Sequence, residues 1–148
     1  HSSNFFEWDL FAMAGNPKIY DNSYAGSENI NIENMFNSPD GLSFNKEGVL
    51  FIQTDGRYTN EGEYIGMGNN QMLCGNPITG EIKRFLVGPK ECEVTGITWS
   101  QDCKTIFVGI QHPGEKGNSN FPDGGNSVPR SSVIAIRKKD GSEIKFIS

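Results

Sequence analysis

The stretch "GLSFNKEGVLFI", residues 41–52, reads as strand, turn, strand, and it recurs as "GITWSQDCKTIFV", residues 96–108, after one inserted residue. Alternating apolar and polar residues on either side of a polar turn are the two-residue period of half-buried strands. The strands that follow agree as well. "QMLCGNPITGEIKRF" (71–85) is matched by "VIAIRKKDGSEIKF" (133–146), with Glu81-Ile82-Lys83 falling on Glu143-Ile144-Lys145. Each unit is therefore four short antiparallel strands over about 50 residues, the size and strand count of a β-propeller blade.

Working outward, the chain reads as all-β, with about two consecutive four-stranded antiparallel blades and long loops. Strands are expected near 8–13, 41–45, 49–54, 70–75, 81–87, 94–99, 105–111, 132–137 and 143–147, separated by Asn-Pro, Pro-Asp-Gly, Thr-Gly, Pro-Gly and Asp-Gly turns. Residues 1–37 form an entering segment, 38–90 one blade and 91–148 the next. Two blades cannot close a ring, since propellers take about four to eight. The chain, which opens on His1, is therefore expected to be a piece of a longer one. A sandwich or an open stack of sheets fits the same periodicity.

Composition narrows the function classes. Gly supplies 18 of 148 residues, about 12% against a usual share of about 7%, so the chain turns often. The formal net charge is −5, and the 13 Lys and Arg are scattered, which argues against a nucleic-acid surface. No apolar run approaches the roughly 20 residues of a spanning helix. Three cysteines, Cys74, Cys92 and Cys103, form neither a CxxC nor a zinc spacing. Core packing is the expectation for them, with Cys92 the more exposed.

No GxSxG elbow, HExxH, P-loop or GxGxxG is present. What remains is a set of hard oxygen donors at the turn ends of strands: Asp40, Asp55, Asn69, Asn70, Glu91, Glu93 and Asp123. Such a set suits Ca²⁺ or Mg²⁺ better than zinc. Pro39-Asp40-Gly41 and Pro122-Asp123-Gly124 also serve as turn tripeptides, because Pro presets φ and Asp and Gly complete the turn. His112, in "IQHPG", reads as a hydrogen-bonded structural residue. Arg57 and Arg130 are the basic groups nearest these turns, where a guanidinium suits phosphate. The loop 112–131, rich in Asn, Gly and Pro, is long enough to carry function.

Taken together, "NSPDGLSFNKEGVLFIQTDG", "GNNQMLCGNPITGEIKRFLVGPKECEVTGITWSQDCKTIFVGIQHPGE" and "NSVPRSSVIAIRKKDG" resemble the C-terminal part of the PhoX family of bacterial alkaline phosphatases. "FFEWDLFAMAGNP" resembles the segment entering that region. The resemblance implies a six-bladed propeller in a periplasmic or secreted phosphomonoesterase, with Ca²⁺ and Fe³⁺ in a central channel holding phosphate. It implies that Asp40, in the S-P-D-G turn, binds a channel metal, with Asp55 and Glu93 as further metal candidates and Arg130 as a phosphate contact. The family's R-P-E-W segment is missing from this chain, and its catalytic cysteine and other acidic ligands belong to the N-terminal portion. The chain alone is therefore expected to be catalytically inactive and to self-associate through exposed blade edges. Two rival readings share the strand rhythm: a noncatalytic propeller module binding through the 112–131 loop, and a calcium-dependent lactonase-like propeller.

Overall fold

Seven short strands make two antiparallel sheets in the computed structural model, which describes residues 2–146. The first sheet runs β1 (Pro39–Phe44), β2 (Leu50–Thr54), β3 (Gln71–Gly75) and β4 (Ile82–Val87) in chain order. The second runs β5 (Glu93–Trp99), β6 (Ile106–Gln111) and β7 (Ser132–Ile136), again in chain order. Beyond these, the described residues hold two single 3-10 turns, Ser23–Ala25 and Gly62–Tyr64, and no α-helix.

The internal repeat survives in the register. Leu42 faces Ile52 across β1 and β2, and Ile97 faces Val108 across β5 and β6. Each first strand also slips its register at the same place, between Pro39 and Leu42 and between Thr95 and Ile97. These bulges bend the strand just where the repeat begins at Gly41 and Gly96, and Gly96 takes a φ of 54° that favours glycine.

The inner strands of the first sheet, β2 and β3, are buried on both faces, which alternation along β2 makes possible. Leu50 and Ile52 point to one side and join Leu73, Ile82, Ile30, Met35, Phe36 and Met67 beneath the 11–36 segment. Phe51 points to the other side, fully buried, into a cluster with Met72, Val94, Ile106, Val108 and Ile110 that joins the two sheets. Phe85, Trp99 and Phe146 pack around its ring with centroids 4.9–6.1 Å away, all edge-on. Burying such a ring is worth about 2–3 kcal/mol, so Phe51 is a main fastening between the sheets.

The loops are tied down by asparagines. Asn16 donates to the carbonyls of Glu63 and Ile65, and buried Asn34 donates to those of Asn29 and Ile82. The abundance of Asn thus serves long irregular segments whose buried backbone groups have no ladder to satisfy them.

Three expectations are corrected. Residues 8–13 form no strand: they have no ladder partner among the described residues, and Trp8 and Leu10 lie exposed. Residues 143–146 form none either, and residue 147 lies outside the described residues. Ile144 makes a single backbone bond to Cys103, while Phe146 inserts its ring into the core. The second sheet therefore has three strands where four were expected. Cys92 is fully buried, whereas Cys74 and Cys103 are half-buried, and all three are free thiols. Gly88 leaves room for it: a Cβ there would lie 2.4 Å from the Cys92 Sγ.

Candidate metal centre

In an antiparallel meander the end of an even-numbered strand and the start of the next odd one reach the same rim. Asp55 follows β2, Glu93 begins β5 and His112 follows β6. Their side chains converge, with one donor atom from each within 4.8 Å of the others. Glu93 is buried, His112 half-buried and Asp55 exposed, so the group opens to solvent on one side. His112 Nε2 stands 3.8 Å from Glu93 Oε2.

The scaffolding behind this trio is made of backbone bonds to buried polar side chains. Asn70, 4% exposed, uses its whole amide. Its Oδ1 accepts from the Thr54 hydroxyl at 2.9 Å and from the Gly56 N–H at 2.7 Å, bracketing Asp55. Its Nδ2 donates to the Gly56 carbonyl at 3.1 Å and to the Cys92 carbonyl at 2.8 Å, the latter one residue before Glu93. One side chain thus ties the backbones carrying two of the three donors, across the gap between the sheets. Gly56 is needed at its place because Asn37 lies against it; a Cβ would fall 1.8 Å from Asn37 Oδ1.

Glu91 does the same for the loop beyond His112. Its carboxylate accepts from the Asn118 side chain and from the backbone N–H groups of Lys116 and Asn118, the latter two at 2.8 and 3.2 Å. The Asn118 amide above all, with those backbone donors, holds the Glu91 carboxyl below its ordinary range. Both of its oxygens are occupied, so Glu91 is a loop anchor. The His112 ring Nδ1 lies 3.3 Å from the Glu91 carbonyl, and the His112 backbone N–H donates to Ser131 Oγ at 2.9 Å, closing the base of the loop. Ser38, Glu91 and His112 all take positive φ, 47°, 61° and 38°. Non-glycine residues held there cost about 1–3 kcal/mol each, and such strain gathers at functional sites.

Of the residues singled out in the sequence, Asp55 and Glu93 are brought together. Asp40 is exposed in the β1 bulge and stands outside the trio. Arg130 is exposed and paired with Asp123 at 2.7 Å. His112, expected as a hydrogen-bonded structural residue, makes such bonds to Glu91 and Ser131 and also stands in the group. Its signal was positional: "HPG" closes a strand at the rim that Asp55 and Glu93 share. Asn70 reads as a turn residue in the sequence because its four bonds all go to residues at least 14 positions away.

The donor set fits a cation. Two carboxylates offer the hard oxygens that Ca²⁺ takes, and an imidazole adds a nitrogen that iron accepts. Gln53, buried two residues before Asp55, has an Nε2 with no hydrogen-bond partner among the described residues, and as an N–H donor it is no cation ligand. A buried orphan donor is costly, and an oxygen of a bound group or an ordered water would satisfy it.

Comparison with known proteins places the chain in a family. The family model described as "Alkaline phosphatase PhoX" matches residues 1–114. A solved structure, Pseudomonas fluorescens PhoX in complex with vanadate, a transition state analogue, is 60% identical with a TM-score of 0.90. The match covers 93% of this chain and 24% of that one, so the chain spans about a quarter of its solved relative. No curated protein matches.

Proposed function

As the chain belongs to the alkaline phosphatase PhoX family, we propose that it is the C-terminal portion of a metal-dependent phosphatase acting on phosphate monoesters. The convergence of Asp55, Glu93 and His112 on one rim carries this reading. The two sheets are consecutive blades of a six-bladed propeller, and the rim faces its central channel. Asp55 and Glu93 hold a channel cation, Ca²⁺ or Fe³⁺, with His112 beside them. Asp40, exposed outside the trio, binds a channel metal together with ligands from the rest of the protein. Arg130 contacts phosphate by exchanging Asp123 for it. The protein is periplasmic or secreted. No helix of the described residues is long and apolar enough to cross a membrane.

When bound, the cations neutralise the phosphoryl oxygens as charge develops in the transition state. The chain's own part is to hold carboxylates at fixed positions, through Asn70 behind Asp55 and Glu93 and through Glu91 behind His112. Three side-chain donors fall short of the roughly six to eight oxygens that Ca²⁺ takes, so residues 1–148 alone hydrolyse no phosphate ester.

The test is phosphomonoesterase activity of the full-length protein, with and without chelator, for wild type and for Asp40→Ala, Asp55→Ala and Glu93→Ala, each checked for folding. Activity that chelator abolishes and that the folded Asp55 and Glu93 variants lose is the expected result. Unchanged activity in those variants would remove the trio from the site, and an inactive, folded wild type would overturn the phosphatase reading itself.

A further inference from the structure

Beside Asp55 opens a cleft of about 520 Å³ whose walls include Arg57, Tyr58, Tyr64 and Lys116. Its charge is unusual for a chain of net charge −5. Arg57 and Lys116 pair with no carboxylate among the described residues, although Asp55 shares the cleft. Two cations against one carboxylate leave a positive balance, and that balance grows once Asp55 is engaged by a cation.

Both cations are placed by the fold. The Arg57 backbone is clamped from both sides by the Asn37 amide, which accepts from Arg57 N–H at 3.0 Å and donates to the Arg57 carbonyl at 3.1 Å. The Lys116 backbone is held by Glu91, and its ammonium lies 5.5 Å from the centroid of the Tyr58 ring. Loops from the two sheets thus meet here, each bringing one positive charge. Tyr58 and Tyr64, both half-buried, give the cleft an aromatic wall suited to a carbon skeleton.

The cleft includes Asp55 but neither Glu93 nor His112. A group bound in it therefore lies against Asp55 without touching the other two donors. We propose that this cleft is a specificity subsite for the leaving-group part of the substrate. Arg57 and Lys116 there grip a second anionic group, a carboxylate or a further phosphate, with Tyr58 and Tyr64 lining the carbon chain. The preferred substrates are then organic phosphate monoesters that carry another negative charge. This deepens the phosphatase reading and rests on it for catalysis, though not for binding.

The experiment uses the full-length protein with two monoesters, glycerol 2-phosphate, whose leaving group is neutral, and 3-phosphoglycerate, whose leaving group carries a carboxylate. Because both cationic side chains are exposed, Arg57→Ala and Lys116→Ala leave the packing intact. Loss of a charge-assisted contact should lower kcat/KM for 3-phosphoglycerate about tenfold in each variant, with glycerol 2-phosphate changed less than about twofold. An equal fall for both substrates, or no fall for either, overturns the subsite.

Binding separates this proposal from the phosphatase reading. Calorimetric titration of chelator-treated protein with 3-phosphoglycerate should show at least about tenfold weaker binding to the Arg57→Ala/Lys116→Ala double variant. Equal binding, or none to the wild type, overturns the subsite whether or not the protein is a phosphatase. An inactive protein that still shows this difference would refute the reaction and keep the site.

Discussion

Replacing Asn70 by Ala removes four hydrogen bonds at a position that is 4% exposed. The cost follows from what each partner does next. Thr54 Oγ1 can turn its hydrogen elsewhere, because it also accepts from Gln71 N–H at 2.9 Å and so stays engaged. The Gly56 carbonyl belongs to a half-buried residue that water can reach. The Gly56 N–H sits on that same half-buried residue, which leaves the Cys92 carbonyl as the group without a replacement. That one buried polar group left unsatisfied costs about 1–3 kcal/mol, and the void left by the amide adds about 1 kcal/mol, so a destabilisation of about 2–4 kcal/mol is expected. Denaturant unfolding of the full-length protein, wild type against variant, reads this directly, with Asn69→Ala as control. Asn69 makes one bond, to the Gly88 carbonyl at 3.0 Å, and its loss should cost no more than about 1 kcal/mol. Because the same amide ties the Asp55 and Glu93 backbones, Asn70→Ala should also weaken cation binding at concentrations of denaturant where the variant is still folded. A cost below about 1 kcal/mol, in the range of one ordinary hydrogen bond, together with unchanged cation affinity, would refute the argument that Asn70 organises the site.

Two more predictions concern individual groups. Glu91 is held below its ordinary value of 4.5, so the stability it contributes is present above the unfolded pKa and is lost as pH falls through the folded one. Hydrogen exchange at the Lys116 and Asn118 amides should accordingly quicken in that acidic window, and Glu91→Gln should abolish the pH dependence; a loop that stays equally protected would show that the carboxylate is not its anchor. Burial pushes the Cys92 thiol up to about 12, so at neutral pH it is protonated as well as inaccessible. Of the three thiols it should be the last to react with a maleimide in the native protein and should become reactive on unfolding; fast native labelling of Cys92 would contradict its packing against Gly88.

Much of the fold was legible because antiparallel strands joined by short turns are local objects. The alternation in 41–52 and 96–108 and the turns around them place β1, β2, β5 and β6 within a few residues of their positions in the structure. The same pattern failed at 8–13 and 143–146, where apolar residues are present and no ladder forms. A strand is completed by its partner, and alternation says nothing about whether one is at hand. Phe146 illustrates the difference: it is apolar because its ring enters the core beside Phe51 and Phe85, with no need of a strand.

The candidate site divides in a similar way. Asp55 and Glu93 could be singled out in the sequence because carboxylates at turn ends are a recognisable donor type. Their meeting with His112 lies on another level, since the three come from separate strand ends and converge only when two sheets pack through Phe51, Val94 and Val108. Cys92 was misplaced for the same reason: beside Glu91 and Glu93 it looks like part of an exposed acidic turn, yet the turn is covered by the 112–118 loop that Glu91 draws down. Local periodicity and turn chemistry, which act over a few residues, therefore determined the strands, the hairpins and the repeat from the sequence alone. The pairing of distant polar groups, the depth of Cys92 and the meeting of Asp55, Glu93 and His112 were decided by the tertiary structure. Hydrogen-bond partners and burial are set by which surfaces pack, and packing joins residues with no common local pattern.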